Sequence, residues 1–556
     1  MHRSFFWLLL GATSGLAQTT APEVSARQDD SVVFRSKVTL VTVPVVVRDK
    51  SGKPVGTLRQ EDFQLLDKGK PQVISKFSVE KSGGIVIART TPTAGGQTPE
   101  PNAAPEVIAP DHFVGLLFDD IHMSAADVAA ARTAAQMFVG SGLRPADRAA
   151  VFTTSGQTTL DFTGERDALN SALLKLAPRP LAIDATEVCP FISFYMADQI
   201  VNKDDQQALN AAIALVMACM HPPDRNTARI MALANARSTL EMGEHETQVT
   251  IFSITDAVRR MSRMPGQRTL LLASPGFLRA IDQDAGPVID LAAQSGVVIN
   301  ALDVRGLYAP TTADASRQGF EVSIKRDFDK TAAIVRSGIL AEFAAGTGGT
   351  FVENTNDLKQ GFREFGAAPE VYYVLGFSPQ NLKLDGAYHS LKVSVREQPG
   401  LNVRARLGYN APRHLSTAEE DAKDQISQAV FSHEEIGSIP IDMSTQFFKT
   451  GESQAKLTVM SRLDAAKLHF RKADGRNIDD VAIVCALFDR NGNYLQGVSK
   501  TLQLRLLDDT LSNGLGEGVS VPMEFKVAPG TYVIRLVARD AEGQAMAARN
   551  GAVDIP

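Results

Sequence analysis

Tryptophan occurs once in this 556-residue chain and cysteine three times. So few cysteines exclude a disulfide-stapled scaffold. No two of them stand in a CxxC spacing, so a zinc site or a thioredoxin-type centre has no support. Charge of one sign is also missing. The formal net charge is −6, and no basic block marks a nucleic-acid footprint. After the first residues no apolar run approaches the ~20 needed to span a bilayer. What remains is an ordinary globular composition, 44% hydrophobic and 22% charged, in a chain too long for one core. Roughly three or four domains are expected.

The chain opens MHRSFFWLLLGATSGLAQTT. A short polar start (His2, Arg3) precedes an apolar stretch from Phe5 to Leu10, and Gly15 and Ala17 supply small residues at −3 and −1. This is the pattern of a secretory signal peptide, residues 1–17, cut after Ala17. The apolar stretch is too short for a membrane anchor, and no cysteine follows the cut to carry a lipid. The mature chain is therefore expected to be exported, periplasmic or secreted, with no membrane span. Export changes how the cysteines read. Cys189 and Cys219 flank one segment and are expected to form a disulfide in an oxidising compartment. Cys485, inside the apolar run VAIVCALFD, reads as a buried free thiol.

Composition divides the rest. Residues 18–33 are polar and read as disordered. Residues 34–82 are β-rich, with turns at Asp49–Gly52 and around Lys68-Gly69. Residues 83–110 form a linker, rich in Pro, Thr and Ala from 91 onward. Over 111–368 apolar strands such as HFVGLLF and RTLLLAS alternate with helical segments, which implies a mostly parallel sheet covered on both faces. Residues 369–412 return to strands, 413–435 are a partly helical connector, and 436–556 have the strand and turn spacing of a β-sandwich. The flanks 34–82 and 369–412 are each too short to bury a core alone. They are expected to pair into one sandwich with the α/β domain inserted between them.

The run LLFDDIHMSAADVAAARTAA, from Leu116, concentrates the chemistry. An apolar strand ends in Asp119 and Asp120, and a helix starts just after Ser124. With this unit placed, several motifs fall in a recognisable order: VPVVVRDKSGKPVG, LRPADRAAVFTTSG, LLLASPGFL, INALDVRGLY, TGGTFVENTNDL, YYVLGFSP and VRARLGY. Over residues 34–412 the chain resembles the von Willebrand factor type A family, and more closely an exported group of such proteins from Acidobacteria. That resemblance implies a Rossmann-like α/β domain that binds protein ligands, often through a metal-ion-dependent adhesion site. Such a site places Asp-x-Ser-x-Ser after the first strand, a Thr in a later loop and an Asp after the fourth strand. A hard divalent ion such as Mg²⁺ then takes oxygen ligands and keeps one position open.

Here the pattern departs from the family. Counted from Asp119, the serine positions hold Ile121 and Met123. Counted from Asp120, they hold His122 and Ser124. Pro275-Gly276 stands where Asp-Gly is expected, and Thr186 and Ser193 are the candidates for the loop hydroxyl. Asp119, Asp120 and Ser124 are thus the candidate ligands of Mg²⁺ or another divalent cation. His122, Asp303 and Arg305 are candidates for the ligand-facing edge. The competing reading is structural: Ser124 and Asp127 have capping-box spacing, worth about 1 kcal/mol, and Asp303 and Arg305 form an ion pair. HEEIG at 433 lacks the second histidine of a metalloprotease helix, GLGEG at 514 does not sit between strand and helix, and SPG at 274 is not a nucleophile elbow.

The resulting expectation is a non-enzymatic exported protein mediating adhesion or protein–protein interaction through the top of the α/β domain. Its ligand would be an envelope or extracellular protein, not nucleic acid. A self-assembling envelope component and a hydrolase with an unrecognised site are the alternatives.

Overall fold

Hydropathy alone does not place the first strand. In the computed structural model, which describes residues 22–28, 41–81, 85–87, 107–181, 189–190, 192–279, 285–307, 320–366, 371–379, 386–396, 400–411, 417–432, 434–513 and 518–556, Val24–Gln28 form β1. Val24–Gln28 thus form a strand within the stretch 18–33 that reads as disordered. β1 runs antiparallel along a strand late in the chain, with Val24 opposite Leu504. Its side chains are nearly all exposed, so main-chain pairing holds it, continued by the Arg505 N–H donating to the Glu23 carbonyl at 2.8 Å. The expected signal peptide, Thr186, His433 and residues 514–517 lie outside the described residues.

Val41–Arg48 (β2) turns Val41, Val43, Val45 and Val47 inward. Phe63–Asp67 (β3), Lys70–Pro71 (β4) and Lys76–Lys81 (β5) follow, with Lys68 and Gly69 at φ 46° and 78° making the β3–β4 turn. Ile85–Ile87 (β6) and Val107–Ala109 (β7) pair antiparallel, so the two ends of the expected 83–110 linker are tied together.

The α/β domain begins at His112–Phe118 (β8). It continues through Ala125–Ser141 (α1), Asp147–Thr153 (β9), Leu160–Thr163 (β10) and Arg166–Leu174 (α2), then Phe194–Val201 (α3), Gln206–Met220 (α4) and Arg225–Met261 (α5). Gln267–Ser274 (β11), Gly286–Gln294 (α6), Val297–Asp303 (β12), Phe320–Thr347 (α7), Phe351–Val352 (β13) and Leu358–Gly366 (α8) complete it. Gly348, at φ 81°, ends α7 in the left-handed conformation that glycine tolerates.

The sheet order is β10-β9-β8-β11-β12-β13, parallel throughout except for β10. In chain order this is third, second, first, fourth, fifth, sixth. It is a doubly wound arrangement whose order reverses between β8 and β11. Every residue of β8 is buried because both faces are covered. Phe113 and Leu117 meet α5, α6 and α7, while Val114, Leu116 and Phe118 meet α1, α2 and α8. Each such side chain stabilises the fold by about 1.5–3 kcal/mol through burial.

The flanks then meet. Val371–Phe377 (β14) lies between β2 and β5, with Tyr373 opposite both Val45 and Val79. Tyr388–Val395 (β15) pairs β3, Asn402–Ala405 (β16) pairs β2, and Gly408–Asn410 (β17) pairs β15. Two four-stranded sheets, β16-β2-β14-β5 and β17-β15-β3-β4, thus draw strands from both sides of the α/β domain. Val43, Phe63, Leu65 and Tyr373 fill their shared core. The Tyr373 hydroxyl donates to the Val55 carbonyl at 2.7 Å and accepts the Leu58 N–H at 3.1 Å, locking the β2–β3 connection.

Ala418–Val430 (α9), capped by Thr417 and Glu420, buries Ala429 and Val430 against the last domain, so much of the 413–435 connector packs with it. That domain contains Ile436–Gly437 (β18), Ile441–Lys449 (β19), Ala455–Leu463 (β20), Arg471–Ala473 (β21), Arg476–Asp489 (β22), Tyr494–Leu506 (β23), Val519–Val527 (β24), Gly530–Asp540 (β25) and Met546–Ile555 (β26). A sheet of order β1-β23-β22-β25-β26-β18, with β21 beside β22, faces a β19-β20-β24 sheet across a core containing Leu457, Ile483, Met523 and Leu536. Cys485 is buried and free, and burial pushes its thiol far up. Among the described residues no helix is long and apolar enough to cross a membrane.

Candidate functional site

Asp119 and Asp120 leave β8 at the carboxyl edge of the sheet, where the strand order reverses. Open α/β sheets form their ligand crevice at that place. The ladder continues one residue past each strand: the Asp119 N–H donates to the Ala273 carbonyl, and the Thr154 N–H donates to the Phe118 carbonyl, both at 3.0 Å. This fixes Asp119 between the ends of β9 and β11.

Asp119 is fully buried, and its carboxylate accepts from three directions. Thr154 Oγ1 reaches Oδ1 at 2.9 Å, Ser274 Oγ reaches Oδ2 at 2.6 Å, and His122 Nδ1 lies 2.9 and 3.0 Å from the two oxygens. A carboxylate on Nδ1 holds a proton on that nitrogen. Burial opposes the charge on Asp119, but the His122 charge and the hydrogen bonds from His122, Ser274 and Thr154 outweigh it and hold the carboxyl below its usual range.

Asp120 is nearly as buried. Its oxygens accept from Ser155 N–H (2.9 Å), Ser155 Oγ (2.6 Å) and Thr154 Oγ1 (3.1 Å). Burial raises its pKa, against these hydrogen bonds and with the Asp119 charge adding to the rise. Its backbone carbonyl accepts the Arg179 N–H at 2.7 Å, which brings the loop after α2 over the site.

The candidates separate into two groups. Asp119, Asp120 and His122 form one cluster. Ser124 does not join it: its hydroxyl donates to Asp127 Oδ2 at 2.8 Å and accepts the Asp127 N–H at 3.2 Å, a capping box at the start of α1. Ile121 and Met123, standing where hydroxyls were expected, are buried apolar anchors, and Met123 packs into the α1 side of the core. Ser193 caps α3 instead, accepting the Met196 N–H. Asp303 is in register with Ser274 on the neighbouring strand and is held by Arg305 through Nε at 2.9 Å and Nη2 at 2.6 Å. Arg305 Nη1 also donates to the Ala333 carbonyl, so this pair ties β12 to α7.

The hydroxyls around the carboxylates come from Thr154, Ser155 and Ser274, which sequence reasoning missed. Their signal was a hydroxyl run, TTS, after the second strand and a serine before Pro275. Gly276, at φ 79°, donates its N–H to Ser274 Oγ and lets the chain turn beneath α7. The set does not fit the divalent ion that the resemblance implies. The Asp119 carboxylate already accepts from three donors, Thr154, Ser274 and the shared Nδ1–H of His122, so both its oxygens are engaged within the protein.

A helical tower stands beside this edge. Thr247 Oγ1 donates to the Leu278 carbonyl and Ser253 Oγ to the Thr154 carbonyl, so these residues of α5 lie level with the end of the sheet. The helix from Arg225 to Glu246 therefore rises about 33 Å beyond it. α3 and α4 pack on that length through Ala197, Ala208, Ala212 and Leu240. Cys189 and Cys219 are joined by a disulfide, with Cα atoms 6.1 Å apart, closing the insertion. Around the edge Leu307 is 63% exposed, Ile334 67% and Leu181 47%. His122 stacks on Phe277, ring centres 5.6 Å apart, and half-shows to solvent.

No family model and no curated protein matches the chain. Among solved structures it is similar to an aerotolerance-related membrane protein from Bacteroides fragilis NCTC 9343, at 13% identity and TM-score 0.23, over 46% of this chain and 98% of that one. It is also similar to the conserved hypothetical protein BatB from Bacteroides thetaiotaomicron, at 12% identity and TM-score 0.23, over 46% of this chain and 96% of that one. A β-glucuronidase from Bacteroides uniformis follows at 10% identity and TM-score 0.14, over 35% of this chain and 20% of that one. Likenesses this distant carry no statement about what the chain does.

Proposed function

We propose that this is an exported, non-enzymatic von Willebrand factor A-like protein that docks a protein partner on the carboxyl edge of its parallel sheet, without a bridging metal. The observation that carries this reading is the closed carboxylate cluster at the strand-order reversal, with exposed Leu307 just past β12, Ile334 beside the Arg305 contact on α7 and Leu181 two residues beyond the Arg179 contact. In a metal-dependent adhesion site the ion both neutralises the carboxylates and grips the partner. Here His122, Thr154 and Ser274 take the neutralising part, so contact passes to the apolar rim and the adjoining tower. The disulfide supports an oxidising compartment, periplasmic or extracellular.

The test is affinity capture from an envelope fraction with the wild-type chain, with Leu307→Asp/Ile334→Asp, and with Asp119→Ala, each checked for its melting temperature. A partner retained by wild type and lost by the folded rim variant supports the reading. Retention by the rim variant at wild-type strength contradicts it. Light scattering across a concentration series separates partner binding from self-assembly.

A further inference from the structure

At the opposite end of the parallel sheet lies a half-open cavity of about 540 Å³, lined by Asp111 just before β8, the first residues of β11 and β12, the outer face of β2, β5 and β14, and the end of α9. Its size is that of a small-ligand site. The sandwich wall is the face left over when Val43 and Val45 turn into the sandwich core, so Thr42, Pro44 and Val46 look into the cavity.

Arg268 fixes the shape of this space. Its Nε donates to the Met264 carbonyl at 2.6 Å, its Nη1 to Ser295 at 2.7 Å and its Nη2 to Phe431 at 2.5 Å. Ser295 and Phe431 are the C-caps of α6 and α9, and Met264 lies just past α5. One guanidinium therefore meets the carbonyl ends of three helices, where a cation is favoured. Three of its five N–H groups are thereby committed to the protein itself.

The remaining charges are divided by wall. Glu80 on β5 and Glu434 after α9 line the cavity from one side, together with Lys76 further along β5, while Asp111, 3.8 Å from Arg144, lines it beside β8. Arg259 in the last turn of α5 and Arg263 just beyond it line it from the α/β domain. None of Glu80, Glu434, Arg259 and Arg263 is in an ion pair among the described residues. Burial first, then the charge of Glu434, holds the Glu80 carboxyl above its usual range, and Lys76, Ser78 and Arg268 offset this only in part. Lys76 also lines the cavity, about 13 Å from Glu80 along the same strand, so the place for an ammonium is the Glu80 and Glu434 end of that wall. Gln267 lines the cavity with a buried Oε1 that accepts no hydrogen bond. An empty acceptor between an acidic and a basic wall describes a ligand with an ammonium at one end, a carboxylate at the other and N–H groups between them. Arg259, Arg263 and Glu434 are exposed at the cavity mouth and Glu80 is half-buried, so a ligand with charged ends would meet them at the rim.

We infer that this cavity binds a short zwitterionic peptide, with its ammonium between Glu80 and Glu434, its carboxylate on Arg259 and Arg263, and a peptide N–H on Gln267. The site is remote from the Asp119 edge and does not depend on that reading.

The test is calorimetry on the full mature chain with a panel of free tripeptides that includes trialanine, and with the same peptides N-acetylated or C-amidated. Binding of free tripeptides, weakened at least ~10-fold by either block, is the expected result. Glu80→Gln should abolish discrimination against the acetylated forms. Arg259→Gln/Arg263→Gln should abolish discrimination against the amides. Each variant is accepted only if it melts as wild type does. The blocked peptides test the same point on the unaltered chain. No heat with any free tripeptide at millimolar concentration, or equal binding of free and blocked forms, overturns the proposal.

Discussion

Ser274 and Asp119 lie 155 residues apart in sequence, yet Ser274 Oγ donates to Asp119 Oδ2 at 2.6 Å across adjacent parallel strands. The bond closes the cluster on the β11 side. A hydrogen bond to a buried charge contributes about 2 kcal/mol. Ser274→Ala is expected to lower stability by about that amount, read as a shift in the urea midpoint at constant slope.

The acid limb of stability should be visible at Asp147. Burial opposes its charge, but hydrogen bonds from His112 and Arg144 and the His112 charge pull its pKa down from 3.8 to about 2. A depressed carboxyl gives stability that is present above the unfolded value and is lost as pH falls through the folded one. The loss should run from about pH 4 to about pH 2 and amount to about 2 kcal/mol. Asp147→Asn should flatten urea midpoints over that window.

The C-terminal sandwich should show the opposite sign. Asp479 and Asp540 are both fully buried. Burial, then the Asp540 charge, raises the Asp479 pKa well above the carboxylate range, and its Oδ2 accepts no hydrogen bond. The folded state therefore holds a proton that the unfolded state releases. Stability from this source is present below the ordinary carboxylate pKa and declines as pH rises through the raised value. Asp479→Asn should stabilise the chain at pH 8 and leave it nearly unchanged at pH 4, by urea denaturation at both.

Much of this architecture was legible, because burial on both faces of a strand leaves an unbroken apolar run. HFVGLLF and RTLLLAS announce β8 and β11 this way, and alternating valines announce β2. The Ser124 cap was legible because a capping box is local. The partners of the carboxylates were not. Thr154 and Ser274 reach Asp119 only through strand order, and a lone hydroxyl at a strand end has no period to betray it. β1 was hidden for a related reason: an edge strand held by its main chain needs no apolar side chains. The cavity was hidden because its charges come from three separate parts of the chain.

The tower depends on its cross-link. Cys189 and Cys219 close a loop with a sequence separation of 30. Removing the bond with Cys189→Ser/Cys219→Ser should lower the stability of the helical insertion by about 3–4 kcal/mol in the chain-entropy account. Hydrogen exchange should show α3 and α4 losing protection while β8 and β11 keep theirs.

The account stands or falls on whether the Asp119 edge binds its partner without metal. The direct measurement is the affinity of the captured partner in buffer containing a chelator, then after addition of Mg²⁺, Mn²⁺ or Ca²⁺, for wild type and Leu307→Asp/Ile334→Asp. The account predicts the same affinity with and without divalent ion, and a loss of at least ~10-fold in the rim variant. Binding abolished by the chelator and restored by a divalent ion would contradict it.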